Sequence, residues 1–470
     1  MIEKIVQLKN IGHFVDYNFT ACIDNWDGQL KKTNVIYAPN GSGKTTLATI
    51  FRSLKEENLL LAKFKHTFNT DDDVSIQIKF NNLIYKYQNN AWSNYIDDID
   101  VFDSNFIEDY LFMGSIAKAK NKENLFKLIL GQHGQELKKE IKPLIKKVEA
   151  IKGKQKKSQF QIENAKLQDK IKDFNIYAEN EYKKFISAVN SYLSKFTSYI
   201  KLVSVEHDDR TLFELFRIYL VFEVYGEKVK FFTPNPFDDT ITAKYALSEG
   251  DKSTIAMSIF LSRFKLQDMS NRIVIFDDPL SSFDSSRRTA TVTQLSILAK
   301  NTHQFFLLTH DMNFAYDFYD RNQYEKSFLT LQIANSENGN RLSHFDIQNE
   351  ILNKRRKNFY ILQEYRDDKY QDDEINVVRS IRPALEDIIK IKYFDEIPAN
   401  FWLGQIISEI DKANNTDRLY RLKSIKEDLI QLNEYTQKFH HGLGFNSEIL
   451  IDKVELKTNV NLFFQTLDNI

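Results

Sequence analysis

Two short stretches of this chain combine residue types and spacings suited to holding phosphate and a divalent metal. Ala38-Pro39-Asn40-Gly41-Ser42-Gly43-Lys44-Thr45-Thr46 follows the apolar Val35-Ile36-Tyr37 and runs into helix-forming Leu47-Ala48. A glycine turn between strand and helix, closed by Lys-Thr-Thr, is a phosphate-binding loop in its required context. Backbone N–H groups around Gly41 to Thr45 can wrap phosphates at a helix N-terminus. Asn40, Ser42, Gly43 and Thr46 belong to the same cradle, Lys44 neutralises charge and Thr45 offers a hydroxyl to Mg²⁺. Ala38 stands where the usual pattern has its first glycine, a change that costs little if its φ is negative. The second stretch, Ile273-Val274-Ile275-Phe276-Asp277-Asp278-Pro279, is an apolar strand ending in two carboxylates. Acids at a buried strand end need a partner charge, which Mg²⁺ bound to ATP would supply. Asp277 is expected in the Mg²⁺ sphere and Asp278 as the general base that polarises the attacking water.

Three further segments extend the set. Leu247-Ser248-Glu249-Gly250-Asp251-Lys252-Ser253 opens an apolar helix, Thr254 to Phe264, about 30 residues before Asp277. It resembles the signature sequence of ABC-type ATPases, in which Ser248 and the Gly250 N–H at an exposed helix N-terminus would face an anion. The resemblance implies that this anion is the γ-phosphate held by a second protomer, hence a homodimer or higher even oligomer with ATP sandwiched between copies. Ser281-Ser282-Phe283-Asp284 would follow as a dimer-contact loop. Leu307-Leu308-Thr309-His310-Asp311 ends the next strand in a histidine that resembles the ABC switch residue, placed to hydrogen-bond the γ-phosphate. The glutamine-loop motif has Asp103 and Asn105 as polar candidates. Where Asp278 stands, most ATPases of this kind carry glutamate.

The elements that must position these residues follow from periodicity. Residues 2 to 20 and 74 to 103 read as short strands, alternation returns over 213 to 233, and Ile273–Phe276 and Phe305–Leu308 read as buried strands. From about Asn121 to Lys195 the pattern is helical and charged. Within it, Lys138 to Lys157 holds nine lysines and two glutamates, which reads as a solvated helical face or, alternatively, as a nucleic-acid contact. Beyond Asp346 the apolar spacing is helical to the last residue, with Pro383 and Pro398 as punctuation. The expected fold is an α/β ABC ATPase head, residues 1–125 and 201–345, split by a short helical, coiled-coil-like insertion, 126–200, and followed by an all-α C-terminal domain, 346–470.

Composition bounds the partners. At 470 residues the chain is too long for one compact domain, and 42% hydrophobic with 27% charged residues excludes a disordered one. A net charge of −1 gives no global attraction to nucleic acid, so such a contact needs a local cluster such as Lys354-Arg355-Arg356-Lys357. The single cysteine, Cys22, excludes an intrachain disulfide and a CxxC metal clamp. No apolar run approaches the ~18 residues of a membrane span and no signal segment is visible. The expectation is a soluble, cytoplasmic protein without membrane contact.

In the C-terminal region, Arg382 and Glu386 fall on one helix face, and a helical run ends far downstream in His440-His441-Gly442. Taken with YAPNGSGKTT, LSEGDKS, IVIFDDPLSSFD and LLTHD, the chain resembles the ABC ATPases of the SMC and double-strand-break-repair branch that includes the anticodon nucleases PrrC and RloC. That resemblance covers roughly residues 1 to 345 apart from the insertion, which is far too short for an SMC arm and lacks a zinc hook. It implies ATP and Mg²⁺ as cofactors and an ATP-gated role in anti-phage defence. Arg-x3-Glu with a distant His-Gly resembles the nuclease centre of those proteins, with His441, or else His440, as the histidine. The implied chemistry is a metal-independent RNase acting on tRNA. Glu386 and His441 would share the proton work and Arg382 would clamp the phosphate. A structural reading of the same residues is an i,i+4 ion pair and a helix-end histidine beside a capping glycine. Two other functions fit the ATPase motifs. One is the ATPase subunit of a Septu-like system (PtuA-type) whose nuclease is a separate HNH-type protein, and the other is a repair or structural ATPase acting on DNA ends.

Overall fold

The computed structural model describes the chain except residues 56–65, 69–72, 112–118, 153–156, 208–215, 217, 232–245, 267, 281–284, 337–338, 399–400 and 441–450. It divides into two compact units, Met1–Asp346 and Ile347–Ile470.

Along the first unit run β1 (Ile2–Ile11), β2 (Phe14–Asn18), β3 (Thr33–Tyr37), β4 (Ser75–Phe80), β5 (Leu83–Gln88), β6 (Ala91–Trp92) and β7 (Ile99–Phe102). After a helical hairpin come β8 (Ile200–His207), β9 (Ile218–Val224), β10 (Glu227–Phe231), β11 (Ile273–Asp277), β12 (Gln304–Thr309), β13 (Phe328–Ala334) and β14 (Arg341–His344). The central sheet has the order β14-β13-β3-β12-β11-β7. Its neighbours pair in parallel except β14, which runs antiparallel to β13. Strands β3, β11 and β12 are buried nearly throughout and apolar at their centres, the pattern of strands covered on both faces. Their register matters for function. Thr309 pairs with Tyr37 and Leu308 with Asp277, so the loops that follow β3, β11 and β12 leave the sheet at one edge. The crevice outside the carboxyl ends of parallel strands is where open α/β sheets bind ligands.

An antiparallel sheet, β2-β1-β4-β5-β6, shares its core with the central sheet through Ile5, Leu8, Phe14, Ile50, Phe51 and Ile76. A third, β10-β9-β8, lies beyond the hairpin in sequence.

The hairpin consists of Ala119–Ile151 and Lys157–Phe196. At ~1.5 Å per residue the second arm is about 60 Å long. Gly131 interrupts the first arm with φ 58° and ψ −158°, and the Leu130 carbonyl next to the break accepts the Tyr177 hydroxyl at 2.8 Å. The lysine run is partly absorbed here. Lys138 pairs with Glu123 and lies over the Phe126 ring, and Lys147 bonds Glu163 across the arms, while Lys139, Lys142 and Lys146 face solvent.

The second unit contains, among its described residues, only helices: Ile347–Arg366, Glu374–Lys392, Leu403–Lys412, a 3₁₀ segment Arg418–Ile425, Lys426–His440 and Lys453–Asn469. Val377, Ile381, Leu385, Ile406, Leu429 and Phe463 are among its buried core. Asp373 and Asp452 cap two of the helices by accepting the N–H groups of Ile375 and of Val454 and Glu455. Pro383 does not punctuate as the sequence suggested, for it lies inside Glu374–Lys392. An interior proline costs about 3 kcal/mol. The helix runs on because Val377, Val378 and Ile381 before it and Ala384, Leu385 and Ile389 after it are all buried. Among the described residues no helix is long and apolar enough to cross a membrane.

Candidate nucleotide site

The loop after β3 is shaped by two left-handed glycines, Gly41 at φ 79° and Gly43 at φ 100°. A Cβ at Gly43 would also meet the Phe14 ring at 3.0 Å, so a side chain there faces strain as well as crowding. Ala38 has no positive φ, and its N–H donates to the Thr309 carbonyl at 3.0 Å. The missing first glycine therefore leaves the backbone unstrained. Asn40, Gly41 and Thr45 are exposed, Ser42 and Thr46 are buried, and Gly43 caps the helix Lys44–Ser53. The far side of the loop is pinned by Asn340, whose side-chain amide donates to the Ser42 carbonyl at 2.7 Å. Sequence reading gave no sign of Asn340, because the contact joins residues 298 apart.

Lys44 is 4% exposed, with Nζ donating to the carbonyls of Ala38 at 2.9 Å and Pro39 at 3.0 Å and lying 3.4 Å from Asp278 Oδ2. Asp278 has left-handed backbone, φ 45°, and its Oδ1 accepts both the backbone N–H and ring Nδ1 of His310 at 2.8 Å. Asp277 is half-buried beside Thr45, with its Oδ1 atom fully buried. Burial pushes its carboxyl up to about 6, with Asp278 and Asp103 adding to the shift and the Thr45 hydroxyl and Lys44 opposing it. Its Oδ1 has no hydrogen-bond partner among the described residues. A buried, partnerless carboxylate oxygen next to a threonine hydroxyl and an anion-binding loop fits Mg²⁺ bound to a nucleotide. Thr45 and Asp277 would hold that ion, which neutralises charge on the phosphates.

The structure thus brings Asn40 to Thr46, Asp277, Asp278 and His310 to one sheet edge. Asp103 is committed elsewhere. It pairs with Arg52 and accepts the N–H of Phe106, and Asn105 donates its amide to the same carboxylate. Ser248, exposed, and Gly250, buried, begin the helix Glu249–Leu266, and among the described residues no hydrogen bond joins them to the phosphate loop. Ser281 to Asp284 lie outside the described residues.

Arg382 and Glu386 are brought together in the second unit, Arg382 Nε donating to Glu386 Oε1 at 2.9 Å. The same oxygen accepts the Leu403 N–H at 2.7 Å, and Lys390 Nζ is 3.3 Å from Oε2. His441 lies outside the described residues, as does the side chain of His440. Of the basic cluster, Arg356 and Lys357 are exposed.

A parallel α/β sheet whose edge carries a phosphate loop, paired strand-end aspartates and a strand-end histidine defines an ATPase-type domain. Residues 11–214 and 237–462 match the protein family AAA_13, described as an AAA domain. The chain belongs to that family. Among solved structures it is similar to an Smc head domain with an extended coiled coil bound to the C-terminal domain of ScpA, from Pyrococcus furiosus, at 11% identity, covering 76% of this chain and 99% of that one with TM-score 0.40. An SmcHead bound to the C-winged helix domain of ScpA matches at 10% identity, covering 75% and 100%, TM-score 0.41. The SMC head domain from Thermotoga maritima matches at 12%, covering 74% and 100%, TM-score 0.29. No curated protein matches the chain.

Proposed function

We propose that the chain is an ATP-hydrolysing switch whose nucleotide-dependent self-association controls its C-terminal helical unit. The observation that carries the reading is the partnerless, buried Asp277 Oδ1 beside Thr45, with Lys44 and Asp278 flanking it. In this proposal Lys44 and the loop amides hold the phosphates of ATP, Thr45 and Asp277 hold Mg²⁺, Asp278 accepts the proton of the attacking water and His310 contacts the γ-phosphate. Ser248 and Gly250 of a second copy would close on the same phosphate, making the working unit a homodimer or higher even oligomer.

What the switch controls is proposed to be RNA cleavage in anti-phage defence. Arg382, Glu386 and His441 would act as a metal-independent RNase on a tRNA anticodon loop, where unpaired ribose and bases are accessible. A second reading is favoured by a specific observation. Glu386 is already occupied by Arg382, Lys390 and the Leu403 N–H, as expected of a structural brace. The chain would then be the ATPase sensor of a Septu-like complex whose HNH-type nuclease is a separate protein. The test is to incubate the purified chain with a tRNA pool, with and without ATP and Mg²⁺, and to resolve the products on a gel. Cleavage by the chain alone supports the first reading. Nucleotide-dependent dimerisation without cleavage supports the second.

A further inference from the structure

We infer that Asp251 is a positioning residue for the signature serine, and that through Tyr199 it ties the nucleotide site formed between two copies to the root of the helical hairpin. The inference rests on the proposed trans role of Ser248.

Ser248 caps its helix, for its Oγ accepts the Asp251 N–H at 3.1 Å. The hydroxyl proton goes back to Asp251 Oδ2 at 2.7 Å, which fixes the Ser248 rotamer from both sides. The other oxygen of Asp251 is equally committed. Oδ1 accepts the Tyr199 hydroxyl at 2.7 Å and Arg287 NH2 at 3.0 Å, and Arg287 also donates to the Tyr199 oxygen at 2.5 Å. Burial alone would raise the Asp251 carboxyl, yet Ser248, Tyr199 and Arg287 together hold it below the usual range.

The three partners come from three segments. Ser248 opens the signature helix. Tyr199 lies between Phe196, where the second hairpin arm ends, and Ile200, where β8 begins. Arg287 is in the first turn of Ser285–Asn301, the helix that follows Asp277 and Asp278 in sequence. Tyr199 is itself fixed, its ring stacked on Tyr225 at 4.2 Å and 5° and its carbonyl accepting the Tyr225 N–H at 3.1 Å. A shift of the hairpin root therefore moves an acceptor of Arg287 and a donor to Asp251, and Asp251 in turn holds the Ser248 oxygen in place, whose single proton would turn from Oδ2 to a phosphate when one arrives. Arg287 has a second consequence. Its charge offsets that of a carboxylate which would otherwise repel an incoming phosphate.

The test compares Ser248→Ala, Asp251→Asn and Tyr199→Phe, each in an Asp278→Asn background so that hydrolysis does not drain the dimer. Two quantities are read: the affinity of dilute, monomeric protein for a fluorescent ATP analogue with Mg²⁺, and the ATP concentration giving half dimer by sedimentation velocity. Monomer affinity should stay within about twofold in all three, because the phosphate loop is built elsewhere. Half-dimer ATP should rise at least about tenfold for Ser248→Ala and Asp251→Asn, and about threefold to tenfold for Tyr199→Phe, the range for one lost hydrogen bond. Should Asp251→Asn melt well below the parent, Tyr199→Phe, which removes one hydroxyl, carries the test. Parental dimerisation of both Asp251→Asn and Tyr199→Phe beside a defective Ser248→Ala overturns the inference alone. Parental dimerisation of Ser248→Ala overturns the trans reading, and the inference with it.

Discussion

Asp278 uses a single oxygen, Oδ1, to accept both the backbone N–H and the ring Nδ1 of His310, each at 2.8 Å. A carboxylate oxygen accepts, so the ring donates to it through Nδ1–H. The other Asp278 oxygen faces Lys44. The residue proposed as general base is therefore oriented by the proposed γ-phosphate sensor on one side and by the phosphate-loop lysine on the other.

Asp278→Asn should keep this geometry, because asparagine tolerates the left-handed backbone that Asp278 adopts at φ 45°. It should lose proton acceptance. Phosphate release should fall by ~10²-fold or more, the order expected for loss of a general base, while ATP affinity is retained and the ATP-bound dimer accumulates. A coupled phosphate-release assay with sedimentation checks both, and parental turnover would move the base to another residue.

Lys44→Ala removes the cation held by the carbonyls of Ala38 and Pro39. It leaves only the loop amides and Mg²⁺ to balance a polyphosphate that lies beside two aspartates. Titration calorimetry should detect no ATP binding. Binding of unchanged affinity would make the loop a structural turn.

Asp277 supplies a pH signature. Its carboxyl is raised in the folded chain to about 6. The fold therefore favours the protonated form, and the stability this gives is full below the unfolded value and lost as pH rises through about 6. Without Mg²⁺, Asp277→Asn should melt above the parent at pH 7.5, and the difference should shrink as pH falls toward 5. Mg²⁺ must displace that proton, so in the parent its apparent affinity with ATP should weaken below about pH 6. A melting series in EDTA and a Mg²⁺ titration at two pH values check the two halves. A melting difference independent of pH would place the titration elsewhere.

The juxtaposition of the glycine loop with Asp277, Asp278 and His310 was legible in the sequence because each part is a short contiguous pattern on its own strand end, and parallel pairing of β3, β12 and β11 supplies the rest. The contacts that fasten those parts were not. Asn340 on Ser42, and Arg287 and Tyr199 on Asp251, join residues 298, 36 and 52 apart in sequence, and no local spacing records such contacts. Pro383 misled because a helix breaker in isolation is overridden by apolar burial on both sides. The C-terminal pair was legible as geometry but not as chemistry. An i,i+4 Arg and Glu read alike whether they clamp a phosphate or a neighbouring helix.

Glu386 separates those two roles if the substitution is chosen by its contacts. Alanine removes a charge and also leaves the Leu403 N–H unpaired at the start of Leu403–Lys412, a loss of about 1 kcal/mol on the scale of a helix cap, so lost activity would be ambiguous. Glu386→Gln keeps an acceptor for Leu403 and Arg382 while losing the ability to take a proton. If the chain is an RNase, Glu386→Gln, Arg382→Ala and His441→Ala should each remove cleavage while ATP binding persists, as groups that act as one unit do. Glu386→Gln should also melt within a degree or two of the parent. The parental products should carry 2′,3′-cyclic phosphate and 5′-OH ends, cleavage should survive EDTA once nucleotide control is released, and DNA should be spared, because only RNA has the attacking 2′-OH. Cleavage retained in all three variants would assign Arg382 and Glu386 to bracing the helix Leu403–Lys412. If the parental chain cuts nothing in any nucleotide state, the nuclease resides on a partner protein.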